Sequence, residues 1–200
     1  MTIEKATSQL LNAHVFFEAQ GAGYKSWGHV EVLQIALRIS ENSYLLTNEK
    51  KSLNELSKED VQLMSSTTSF FHQIFSTRKN INTILITNQQ FASQVQEEIP
   101  AILDDQAQLL GISIRISKSG ENVRKSLSGR YAAILPGGTS ICIGSSLDDA
   151  YVAAQLLEKT SKVFLEAKYL GGAKPINKIE AWFMQQYYQF KYSKEAVKNR

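Results

Sequence analysis

The sequence predicts an α/β fold, a three-layer sandwich in which a mainly antiparallel central sheet is flanked by helices on both faces. Three observations carry this. Runs of strand length such as "EVLQIALR", "INTILIT" and "ISIRIS" recur between helix-like stretches. Their order is mixed, with neighbouring strands early in the chain in place of the strict strand and helix alternation of a parallel sheet. A chain of 200 residues that is 43% hydrophobic can also bury one sizeable core, so a single domain over residues 1–200 is expected.

Taken in order, the first twenty residues set Leu10, Leu11, His14, Val15 and Phe16 at helical spacing, and the pattern stops at "GAG". "HVEVLQIALRIS" alternates through Val30, Val32, Ile35, Leu37 and Ile39, and "NSYLLTNEKKS" adds a short strand and a polar turn, so an antiparallel pair is expected. "SKEDVQLM" opens with Ser followed by acids, as a short helix does, and "SFFHQIFST" is apolar at helical spacing. "INTILIT" is a strand. A helix is expected over "NQQFASQVQEEI", closed by Pro100, and a second over "AILDDQAQLL", ended by Gly111. Residues 112–117 alternate with period two, a strand, and "ENVRKSLSG" makes a short polar helix.

"YAAILPGGTSICIG" follows as two apolar runs joined by a Pro-Gly-Gly turn. The best-marked helix starts after Ser146, a capping residue with Asp149 three positions on, and ends at Gly171 and Gly172. A last helix covers about residues 176–196, its start marked by Pro175.

Composition excludes several function classes. The one cysteine, Cys142, lies inside the apolar run "ICIG", which rules out a disulfide framework and a Cys-based zinc site. No run reaches the length of a membrane span and the N-terminus lacks a basic head before an apolar block, so a cytoplasmic protein without membrane insertion is expected. Net charge is +3, and residues 151–200 hold nine Lys/Arg against four Glu, which reads as a solvated helix face. No zinc-finger or RNP-type motif accompanies it, so no nucleic-acid partner is expected.

The run "ILPGGTSICIGSSLDDAYVAAQLLEKTSKVFLEAKYLGG" resembles the end of the class II aldolase/adducin family, which includes fuculose-phosphate aldolase and ribulose-phosphate epimerase. Gly144, Leu147, Ala150, Glu158, Ala167 and Gly171 fall on the family pattern. "SWGHVEV" is similar to its phosphate loop, and "FFHQIFSTRKNINTILITNQQFA" to its helix, strand and His-x-His segment. The resemblance implies a metal held by three His, with a Glu as acid/base. Carried onto this chain, the ligand positions are Ile86, Asn88 and Gly138, and the Glu position is Thr68.

Ile and Gly offer no lone pair, and Asn88 alone cannot hold zinc, which takes about three N, S or O side chains at a catalytic site. The phosphate loop reads Gly28, His29, Val30, Glu31, and a Glu there repels a phosphate. "TNEKKS" replaces the second phosphate contact, although Lys50 or Lys51 can attract an anion. The histidines His14, His29 and His72 form no short-spaced ligand pair, and "SLSGR" lacks the setting of a serine nucleophile.

No cofactor and no metal are therefore expected, and the resemblance points to a catalytically inactive family member acting as a protein-binding or adaptor subunit of a homo- or hetero-oligomer, for instance in a secretion or cytoskeletal assembly. The alternative is a sugar-phosphate or other small-molecule binding protein or metal-independent lyase using the remodelled family pocket, for which Thr68, Asn88, Thr139 and Ser140 are a thin supply of polar groups.

Two stripes of the last helix bear on a partner. Ile176, Ile179, Phe183, Tyr187 and Phe190 are expected to pack on the chain's own core, and Ala181, Met184, Tyr188 and Tyr192 to form a protein-interaction surface.

Overall fold

The structure, a computed structural model, describes residues 2–21, 25–65, 68–119 and 122–198, with side chains throughout except at Lys25 and 192–198. The N-terminal helical pattern forms two helices, α1 (Ile3–Leu11) and α2 (Ala13–Gly21), because Asn12 turns its side-chain amide back onto the Ser8 carbonyl at 2.9 Å and ends the first. Of the "GAG" stretch, Ala22 and Gly23 lie outside the described residues.

Three antiparallel strands follow: β1 (Val30–Arg38), β2 (Tyr44–Thr47) and β3 (Val61–Met64). The helix expected at "SKEDVQLM" is corrected here. Ser57 and Asp60 do make a capping box, but it serves one 3-10 turn (Lys58–Asp60), and the chain then pairs Val61 with Thr47 and Met64 with Tyr44.

After α3 (Phe70–Thr77), β4 (Thr83–Gln89) lies between β1 and β8 (Ser140–Gly144). The helix expected over "NQQFASQVQEEI" is also corrected, since only Ala92–Gln94 turn, in 3-10 geometry, and Ile99–Pro100 form the short edge strand β5. The strands β6 (Ser113–Ile116) and β7 (Ala132–Ile134) complete an eight-stranded sheet in the order β3-β2-β1-β4-β8-β7-β6-β5. Every pair is antiparallel except β6 with β7, so the sheet is mainly antiparallel as expected.

Alternation sorts the strands onto two cores. Ile35 and Leu37 of β1, Leu85 of β4 and Cys142 of β8 face the side covered by α1, α2 and α6 (Leu147–Tyr169). Ala36, Ile84, Ile141 and Ile143 face α3 and α5 (Val123–Ser126). The Ser146 hydroxyl accepts the Asp149 amide at 3.1 Å and starts α6, and Gly171 and Gly172 follow its end with φ of 102° and 100°. Gly144 is fixed by this packing, because a Cβ there would lie 2.3 Å from the Ala150 nitrogen.

The last helix, α7 (Lys178–Lys198), lies against α4 (Asp104–Leu109), and its two stripes do not divide as expected. Ala181 is fully buried with Ala101 and Ala107, and Met184 packs partly buried against them. Tyr188 is half-buried, and the side chain of Tyr192 lies outside the described residues. Ile176 joins the same small cluster, but Ile179, Phe183, Tyr187 and Phe190 are exposed. Ala181, the smallest of the described side chains on the helix, lets α7 approach α4 closely, which favours this stripe turning inward.

Candidate functional site

The ligand positions implied by the resemblance do gather at one end of β4. Period two puts Ile86 and Asn88 on the same face of the strand, while Thr87 and Gln89 are buried on the other, where the Gln89 amide donates to the Ala154 carbonyl at 2.6 Å. Beside them, Glu31 of β1 pairs with Asn88, and a bulge between Val32 and Gln34 re-aims this end of β1.

Gly138 lies two residues before Ser140, the partner of Thr87 in β8. Its φ of 87° suits the turn after Gly137, and a Cβ on it would meet the Ser93 carbonyl oxygen at 3.3 Å. Thr68, just before α3, is exposed, Thr139 is half-buried in the turn, and Ser140 is buried. The positions are assembled, but a hydrocarbon, one carboxamide and a glycine stand in them. This donor set does not fit zinc, and among the described residues no group of three or more His, Cys, Asp or Glu could hold a metal ion. His72 sits in α3, apart from His14 on α2 and His29 before β1.

The two segments aligned with the family's phosphate contacts meet across a cleft of about 430 Å³ lined by His14, Glu18, His29, Glu31, Lys50 and Lys51 among others. Lys51 is engaged there: its ammonium lies 2.9 Å from the Asp60 carboxylate. The Ser57 hydroxyl, then Lys51 and the Ser57 amide, hold Asp60 far below the usual carboxylate range. Composition gives no sign that α2 supplies His14 and Glu18 to this cleft, since that depends on how the helix docks.

A second hollow of about 440 Å³ shares Phe17, Glu18, His29 and Val30 with the first and reaches Trp27, Tyr151 and Glu158. Glu158 is the buried carboxylate of the region. Helix α6 aims it at the turn after β4, where its oxygens accept the amides of Phe91 at 2.9 and 3.0 Å and of Ala92 at 3.0 Å. Burial raises its pKa, and the amides of Ala92 and Phe91 oppose the rise. Gly28 makes room for it, because a Cβ there would fall 2.3 Å from Oε1 and the backbone holds φ at 141°. The signal in the sequence was a lone Glu among the apolar positions of α6, visible only as a match to the family pattern.

What the arrangement offers is a polar cleft with imidazole, carboxylate and ammonium groups, beside a hydrogen-bonded carboxylate that buttresses the turn at 90–92. Three solved structures have the same architecture. An L-fuculose 1-phosphate aldolase superposes with a TM-score of 0.78 at 16% identity, covering 94% of this chain and 98% of that one. The L-fuculose 1-phosphate aldolase from Glaciozyma antarctica gives 0.65 at 16% identity, over 90% and 80% of the two chains. The L-fuculose-1-phosphate aldolase from Thermus thermophilus gives 0.62 at 16% identity, over 85% and 97%. At these identities the likeness establishes the fold alone.

No curated protein sequence matches the chain. The profile of the class II aldolase and adducin N-terminal domain does match it, over residues 9–165, a span that includes every described strand, the cleft and residues Ile86, Asn88 and Gly138. This match, over more than half of the chain, makes it a member of the class II aldolase and adducin N-terminal domain family.

Proposed function

We propose that this chain is a non-catalytic member of its family that serves as a protein-binding, adaptor-type subunit of a larger assembly. One observation carries the reading: the three positions that the family pattern assigns to metal ligands converge at the end of β4 and hold Ile86, Asn88 and Gly138. A frame kept in place after its ligands have been replaced is what selection for shape, without selection for the reaction, leaves behind. The acid/base position, Thr68, carries no carboxylate either.

The test is zinc content and aldol cleavage measured on one preparation. After incubation with zinc and dialysis, the chain is expected to retain far less than one zinc and to leave L-fuculose 1-phosphate intact. About one tightly held zinc per chain, as a family-type site would retain, overturns the reading. A second reading, a small-molecule binding protein or metal-independent lyase, is favoured by the cleft of about 430 Å³, within the usual range for small ligands. Cleavage that survives a chelator, or a small molecule that copurifies and is lost in His29→Ala, selects it.

A further inference from the structure

Among the described residues, the exposed large apolar side chains are most concentrated on one face of α7. Ile179, Trp182, Phe183, Tyr187 and Phe190 are between 48% and 71% exposed, and they recur at spacings of three and four, down one side of the helix. The opposite side, through Ala181 and Gln185, is spent on α4 and on the Gly129 carbonyl. We infer that this face docks on α7 of a second copy of the chain, the two helices running antiparallel about a twofold axis near residues 185 and 186.

Area, charge and register support this occupant. Aromatic side chains bury about 150–250 Å² each, so five large apolar groups more than half exposed on average offer roughly 500–600 Å² per copy. Two such faces reach roughly 1,000–1,200 Å², the lower bound of a specific interface. A twofold axis across antiparallel helices brings the same flank of each together. Glu180 and Lys191 are both exposed and eleven residues apart, hence about three turns along one flank. Setting Glu180 of one copy level with Lys191 of the other forms that pair twice.

The same register sets Trp182 on the other flank level with Gln189 of the second copy, again twice. It also places Gln186, an exposed polar residue within the apolar stripe, next to the axis where it meets its own copy. A polar residue at that point fixes the alignment of paired helices. Because a twofold operation doubles every pair, the one Glu180 to Lys191 spacing supplies two ion pairs to a self-paired α7.

Sedimentation velocity over a dilution series of the full chain tests the inference. Wild type is expected to pass from monomer to dimer, and Phe183→Glu with Tyr187→Glu to stay monomeric with an unchanged circular dichroism spectrum, since both positions are exposed. Lys191→Glu alone is expected to raise the dissociation constant about tenfold, and Glu180→Lys combined with Lys191→Glu to restore it.

A wild-type chain that is monomeric at the highest concentration overturns self-docking, as does a dimer indifferent to the double Glu variant. If the charge swap fails to rescue, the antiparallel arrangement falls. Loss of a different protein partner in the double Glu variant, with wild type monomeric, reassigns the face to that partner. Zinc content moves with none of these results, so the functional reading stands or falls separately.

Discussion

Helices α6 and α7 are nearly equal in length, 23 and 21 residues, and they lead opposite lives. The first buries eleven residues against the sheet, among them Leu156, Leu157 and the carboxylate of Glu158. Among described side chains the second buries Ala181 and Gln185 and leaves four aromatics in solvent. Apolar content does not explain the contrast, since α7 carries the larger aromatic side chains. The support beneath each helix does. Helix α6 crosses β4 and β8 at the centre of the sheet, whereas α7 rests on α4, whose six residues span only about 9 Å. A seam that short can bury a few small side chains, and the rest of the helix is left for another surface.

The hardest way to break the contrast is at the seam that seats α6. Gly144→Ala puts a Cβ where the Ala150 nitrogen lies 2.3 Å away, and backbone on both sides cannot yield. A loss of about 3 kcal/mol or more is expected, read as a lower urea midpoint with an unchanged slope. A change under about 1 kcal/mol would mean that α6 is not held by this contact.

Glu158 tests the polar side of the same helix. Glu158→Gln keeps the shape but replaces one accepting oxygen with a donor facing the amides of Phe91 and Ala92, and a cost of about 1–3 kcal/mol is expected at neutral pH. The pH dependence has a definite sign. Burial raises the folded pKa of Glu158 above its unfolded value of about 4.3, so the folded chain binds the proton more tightly. Its titration therefore contributes stability that is fully present below the unfolded value and lost as pH rises through the folded one. The wild-type stability curve should carry that extra decline with rising pH, and the difference from Glu158→Gln should isolate it. Equal slopes for the two proteins would remove the raised pKa from the account.

The contrast also separates what the sequence discloses from what it hides. Sheet class and α6 with its Ser146 cap were legible, because alternation and caps are local. The two corrected helices fail for different reasons. At Ser57 the capping signal was genuine, but pairing with β2 outcompeted a second turn. At residues 91 and 92 the amides donate to Glu158, 66 or 67 positions away, a long-range anchor that no local pattern discloses, and only Ala92–Gln94 turn. The stripes of α7 were visible as stripes, but their assignment needed the position of α4. The cleft was hidden for the same reason, since His14 and Lys50 meet only through the docking of α2.

The smallest expected effect is the sharpest probe of α7, because two positions two residues apart should respond differently. Ile179 is 68% exposed, so Ile179→Ser removes little buried surface from a single copy and should change stability by no more than about 0.5 kcal/mol. Ala181 is fully enclosed by Ala101, Ala107 and their neighbours, and Ala181→Leu must push α7 away from α4 or distort both, at about 1–3 kcal/mol. Both variants are to be unfolded by urea at concentrations where sedimentation finds only monomer, so that contacts between copies do not enter. Should Ile179→Ser prove as costly as Ala181→Leu under those conditions, the exposed stripe is already covered within one chain, and α7 would differ from α6 in degree only.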